Sequence, residues 1–116
     1  MTGVQTCALP ILQRRGRAAA AAAVRGQLPA STETGTLLCD GLQNVPRFDA
    51  GEAMAWRDWT GPRLSPKTVL GEGLMAAAAW QCVAAVDFLA EGRAVAANVS
   101  VVGCSQQAIG ARFVRA

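Results

Sequence analysis

Residues 71–91 form the longest apolar stretch of the chain, interrupted by Glu72, Gln81 and Asp87 before it closes at Glu91 and Gly92. Alanine dominates it, and alanine is the strongest helix former while gaining little from insertion into lipid. The stretch therefore predicts a long helix, apolar on every side, of the kind buried at the centre of a layered soluble fold rather than one that crosses a membrane. Hydrophobic residues make up 52% of the 116 residues, enough for a core, yet much of that share is alanine, which buries little surface per residue. Such a composition fits tightly packed helices inside a larger body.

The first eleven residues, Met1 to Ile11, read as the in-frame translation of a sequencing-library adapter started at a GTG codon. They are expected to be disordered and without a structural role, with residues 12–116 as a fragment of a larger domain cut just before Leu12. They lack the basic n-region of a secretory signal. With Cys7 set aside, Cys39, Cys82 and Cys104 remain, with no Cys-x-x-Cys spacing and no histidine in the chain. That pattern predicts reduced thiols in a cytoplasm, with no zinc site, disulfide framework or cofactor. Four of the arginines behind the net charge of +3, namely Arg14, Arg15, Arg17 and Arg25, lie near the N-terminus. Without interleaved aromatics they read as a solvated helix face rather than a nucleic-acid contact.

Residues 16–27 are alanine-rich and predict a helix stopped by Gly26 and Pro29. Thr36-Leu37-Leu38-Cys39 reads as a short strand ended by Asp40-Gly41. Asp49-Ala50-Gly51-Glu52 predicts a helix start of the capping-box type, with Phe48 stapled to Ala53 and with Trp56 and Trp59 on one face before Gly61-Pro62. Residues 63–68 read as a short extended segment broken by Pro66. Residues 94–102 and 106–114 have strand composition and are joined by a turn so short that they should pair antiparallel. Asn98-Val99-Ser100 fits a glycosylation acceptor pattern, but it lies inside a strand and is discounted. Alternation of helices and strands predicts an α/β layered fold with a mostly parallel sheet and an antiparallel last pair.

Three segments carry chemistry-bearing residues in a recognisable order: Asp49-Ala50-Gly51-Glu52; Pro66-Lys67-Thr68-Val69-Leu70-Gly71-Glu72-Gly73-Leu74-Met75-Ala76-Ala77; and Ser100-Val101-Val102-Gly103-Cys104-Ser105-Gln106-Gln107. Together they resemble the C-terminal half of a β-ketoacyl synthase, a thiolase-fold condensing enzyme, over residues 16–116. In that family a histidine loop precedes an Asp-Ala-x-Glu helix start, a Thr-Lys-Ser-x-x-Gly-His-x-x-Gly-Ala-Ala segment follows, and a Ser-Phe-Gly-Phe-Gly-Gly-x-Asn loop comes last. None of the three motifs is intact here.

The resemblance implies an acyltransferase family in which a cysteine of the N-terminal half attacks an acyl thioester and two C-terminal histidines assist decarboxylative condensation. The first histidine's place falls at Asp40 or Gly41 and the second's at Glu72, and an ionised carboxylate cannot donate as a neutral imidazole does. Lys67 would then be structural or electrostatic, paired with Glu72. Gly103, Cys104 and Ser105 would form the loop near the family's active site, with Cys104 either a thiolase-like second cysteine or a small buried hydrophobe.

The leading expectation is a non-catalytic subunit of the chain-length-factor type. It would pair with an active ketosynthase, or with itself, and meet an acyl carrier protein in polyketide, aryl-polyene or fatty-acid assembly. A fragment of an active 3-oxoacyl synthase or thiolase-like acyltransferase, and an unrelated α/β binding module, stand as alternatives.

Overall fold

The structure, a computed structural model, describes residues 11–12, 16–29, 34–103 and 107–116. Its elements run β1 (Ile11–Leu12), α1 (Arg17–Gln27), β2 (Thr36–Cys39), α2 (Pro46–Ala55), β3 (Arg63–Leu64), α3 (Lys67–Leu70), α4 (Met75–Ala90), β4 (Ala96–Val102) and β5 (Gln107–Val114). The five strands form one mixed sheet in the order β1-β5-β4-β2-β3. β2 lies parallel to β4 and to β3, while β5 is antiparallel to β4 and β1 to β5. The α/β class and the antiparallel β4–β5 pair agree with the sequence expectation, but the sheet is mixed rather than mostly parallel, since the β1–β5 and β4–β5 pairings are antiparallel and only β2–β4 and β2–β3 parallel.

Because side chains alternate across a strand, neighbouring residues serve opposite cores. Leu38 and Val102 join Ala20, Ala21, Val24, Trp56 and Trp59 beneath α1 and α2. Leu37, Cys39 and Val99 join Ala85, Leu89 and Phe113 beneath α4. The sheet is thus the middle of three layers. No helix among the described residues is long and apolar enough to cross a membrane.

Several boundaries differ from the sequence reading. α2 begins at Pro46, with Val45 as N-cap, three residues before the expected Asp49. Proline is preorganised for the first helical position and lacks the amide that would be orphaned there. Asp49 nevertheless serves the helix entrance: its carboxylate accepts from the Gln43 and Val45 amides at 3.2 and 2.9 Å. Phe48 lies inside the helix, its ring flanked by the guanidinium groups of Arg17 and Arg47, 5.1 and 4.6 Å from its centroid. Of the expected extended segment only Arg63 and Leu64 are strand, and Lys67 belongs to the single turn α3. Arg14 and Arg15 lie outside the described residues, while Arg25 pairs with Asp58 at 3.3 Å and covers the Trp56 ring.

The expectation of a helix buried on all sides is corrected at α4. Ala77, Gln81, Ala85 and Leu89, four apart, face the sheet and are buried, whereas Ala76, Ala79, Trp80, Val83, Asp87 and Ala90 are exposed. One sheet layer gives this helix only one surface to pack against. Its start is also later than expected, since residues 71–74 are non-helical and Leu74 takes a left-handed φ of 51°. Gly73 lies under the Trp80 ring, where any side chain would collide with the indole.

α1 and α2 approach closely because Gly51 has no side chain: a Cβ there would stand 2.9 Å from Ala18 Cα and 3.0 Å from Ala18 N. Backbone cannot rotate away, so Gly51→Ala is expected to cost about 1–3 kcal/mol, read as a lower denaturation midpoint. Gly26 in α1 has open space around it, and Gly26→Ala is expected to be neutral or stabilising by up to about 1 kcal/mol. Equal effects of the two substitutions would contradict the described helix packing.

Candidate functional site

The parallel strands β2, β3 and β4 point their carboxyl ends the same way, and in open α/β sheets that end is where loops gather polar groups. Here the gathering centres on Glu52, which is 4% exposed. Its side chain leaves α2 toward the sheet. Glu52 Oε1 accepts from the Gly41 amide at 3.1 Å and from the Ser100 hydroxyl at 2.7 Å, and Ser100 Oγ in turn accepts from the Trp56 indole at 3.1 Å. Gln81 reaches the same place from α4 and donates its Nε2 to the Ser100 carbonyl at 2.8 Å. Cys39 donates its thiol to the Gln81 carbonyl at 3.3 Å.

Two ion pairs flank this centre. Asp40, 1% exposed, has Arg63 Nε 3.2 Å from Oδ2, and its Oδ1 accepts from the Leu42 amide at 3.1 Å. Arg63 also donates to the Trp56 carbonyl at 2.9 Å, capping the carboxyl end of α2 with a cation, as the helix dipole favours. Lys67, 6% exposed, donates to Glu72 Oε2 at 2.7 Å, and Glu72 Oε1 accepts from the Leu74 amide at 3.0 Å. The expected Lys67–Glu72 pair is therefore present. Glu72 stands two residues before the α4 N-cap rather than in the first turn, because the kink at Leu74 delays the helix.

Burial sets the protonation of these groups. It pushes the Glu52 carboxyl up from 4.5 to about 7, helped by the charge of Asp40 and opposed by the Ser100 hydroxyl, the Gly41 amide and the charge of Lys67. Asp40 is also raised, by burial first, against the lowering effects of Ser65, Leu42 and Arg63. The Cys39 thiol is pushed up to about 12 by burial and then by the nearby Asp40, Cys82 and Glu52. Burial raises Cys82 as well. A thiol so placed is a neutral core group rather than a nucleophile.

The four positions singled out in the sequence, Asp40, Gly41, Lys67 and Glu72, thus fall in two groups: the first pair adjoins Glu52 directly, and Lys67 acts on Glu52 through its charge. Gly103 donates its amide to the Gln107 carbonyl at 2.7 Å across the β4–β5 turn, and Cys104 and Ser105 lie outside the described residues. Asn98 and Ser100 are fully buried in β4, in keeping with the discounted glycosylation pattern. The sequence reading missed Glu52 as the centre, having taken it for a capping-box partner. It also missed Gln81, Ser100, Trp56 and Arg63. A polar residue inside an apolar helix and a serine inside an apolar strand were the available signals.

No protein-family model, curated protein or solved structure matches the chain.

Breaking a buried pair from one side leaves an uncompensated charge, so Glu72→Ala, which strands Lys67, is expected to destabilise by about 2 kcal/mol, and more than Lys67→Met does. Urea denaturation of both variants checks the order. Cys39 is expected to resist alkylation at pH 7.5 in the folded protein and to react fully only in denaturant, with residue-resolved mass spectrometry as the readout.

Proposed function

We propose that the chain is part of a non-catalytic β-ketoacyl synthase-like subunit of the chain-length-factor type, a cytoplasmic protein. It pairs with an active ketosynthase and, with an acyl carrier protein, takes part in polyketide, aryl-polyene or fatty-acid chain assembly. The observation that carries this reading is the spending of polar groups at the strand ends. Of the two carboxylates standing where the resemblance would put catalytic histidines, Asp40 is held by Arg63 and Leu42, and Glu72 by Lys67 and Leu74. Asp40 and Glu72, so engaged, hold loops in place and present no poised base beside a nucleophile. The buried Cys39 thiol, neutral up to about pH 12, adds no nucleophile.

Two measurements on the full chain test this. Incubated with an acyl-thioester, the protein is expected to gain no acyl mass and to condense no malonyl thioester. Mixed with a panel of active ketosynthases from the three pathway types, it is expected to form a one-to-one heterodimer with at least one of them by native mass spectrometry. Acylation with turnover by the chain alone would replace the partner reading with an enzyme. Absence of any heterodimer would remove the ketosynthase reading itself.

A further inference from the structure

The end of β2 holds an unresolved pairing between two acceptors. Gly41 has no side chain, and the point a Cβ would occupy lies 3.1 Å from Glu52 Oε2 and 3.7 Å from Gln81 Oε1. Glu52 comes from α2 on one face of the sheet and Gln81 from α4 on the other, so the missing side chain leaves room for side chains of both helical layers beside the strand end. Gln81 is fully buried and its Oε1 has no hydrogen-bond partner. The amide cannot be turned to relieve this, because its Nε2 already donates to the Ser100 carbonyl at 2.8 Å and a flip would set two oxygens against each other. Glu52 Oε1 takes both of its carboxyl group's donors, Gly41 and Ser100, leaving Oε2 toward the same space. Both oxygens lie within 4 Å of the same point, and a hydrogen on the Glu52 carboxyl would supply the donor that the buried Gln81 Oε1 lacks.

We propose that Glu52 is a protonated carboxylic acid in the folded protein up to neutral pH, donating from Oε2 toward Gln81 Oε1, so that a single proton couples the α2 layer to the α4 layer. Above neutral pH the proton leaves, the two acceptors oppose each other, and the coupling of the layers at this end of the sheet is lost. The device is independent of the synthase-like reading.

The charged and titratable groups around Glu52 are Asp40 after β2, with Arg63 of β3 on it and Asp49 of α2 acting on it through charge, Lys67 of α3, and the Cys39 thiol of β2. The elevated pKa of Glu52 agrees with the geometry. Its sign is definite: from the ordinary carboxyl value of 4.5 up to about 7 the unfolded chain releases a proton that the folded chain keeps, so stability falls as pH rises through that window. Asp40, also raised, contributes in the same direction, whereas the Cys39 thiol stays neutral throughout.

The test is the pH dependence of unfolding of the full chain and of Glu52→Gln. The carboxamide keeps an acceptor for Gly41 and Ser100 and carries a permanent donor for Gln81, imitating the protonated acid. Between pH 5 and 7 the unfolding constant of the unaltered protein is expected to rise with pH about tenfold more per unit than that of Glu52→Gln, the difference of one proton. At pH 8 Glu52→Gln is expected to be the more stable of the two. Parallel pH profiles, or a Glu52→Gln protein destabilised equally at every pH, would overturn the proposal. If Glu52→Gln does not fold, infrared spectroscopy of the otherwise unaltered site decides. A protonated-carboxyl carbonyl band is expected at pH 6, persisting in Asp40→Asn and vanishing above pH 8, and absence of that band overturns the proposal.

Discussion

A buried carboxyl group cannot stand alone, and in this chain Glu52 is accommodated only because four segments converge on it. α2 supplies the carboxyl and the Trp56 indole, the end of β2 supplies the Gly41 amide, β4 supplies the Ser100 hydroxyl, and α4 supplies Gln81. Leaving any of these groups unpaired costs on the order of 1–3 kcal/mol, so the cluster specifies how the layers sit as well as holding them. Gly41 matters as well, since a side chain there would crowd Glu52 Oε2 at 3.1 Å and touch Gln81 Oε1 at 3.7 Å. Around this centre Arg63 closes the carboxyl end of α2 against Asp40, and Lys67 holds the loop that leads into α4.

What the sequence made legible was local. The strand Thr36–Cys39 was read with its observed bounds, because Asp40-Gly41 ends it chemically as well as structurally. The pairing of Lys67 with Glu72 was legible because the two are only five residues apart. The antiparallel β4–β5 pair followed from the short turn. What stayed hidden was decided by distant partners. Asp49 and Glu52 carry the spacing of a capping box, yet Glu52 spends its carboxyl on Ser100, 48 residues away, because burial against the sheet rewards that contact more than closing a helix turn exposed to water. Nothing local distinguishes these two uses of the same residue. The late start of α4 has nearer causes, the left-handed Leu74 and the packing of Trp80 over Gly73 seven residues before it.

The exposed side of the structure has its own logic. α4 presents Trp80 and Val83 outward, and Val69, Leu70 and Leu74 stand exposed in α3 and the loop after it. A helix with apolar residues on every side and one sheet to pack on must leave some of them in water. The opposite layer is instead dressed with arginines, and Arg17, Arg25 and Arg47 lie over aromatic rings. Stacking on Phe48 and Trp56 lets these cations cover apolar surface.

The claim on which the account turns is that the Gly41 amide and the Trp56 indole are locked into a buried cluster with Glu52 and Ser100. Native-state hydrogen exchange, followed by NMR at those two N–H groups, measures this directly. Both are expected to be protected as strongly as the Leu38 and Val99 amides in the centre of the sheet, opening only with global unfolding. Exchange of Gly41 or the Trp56 indole at rates typical of exposed loops would contradict it.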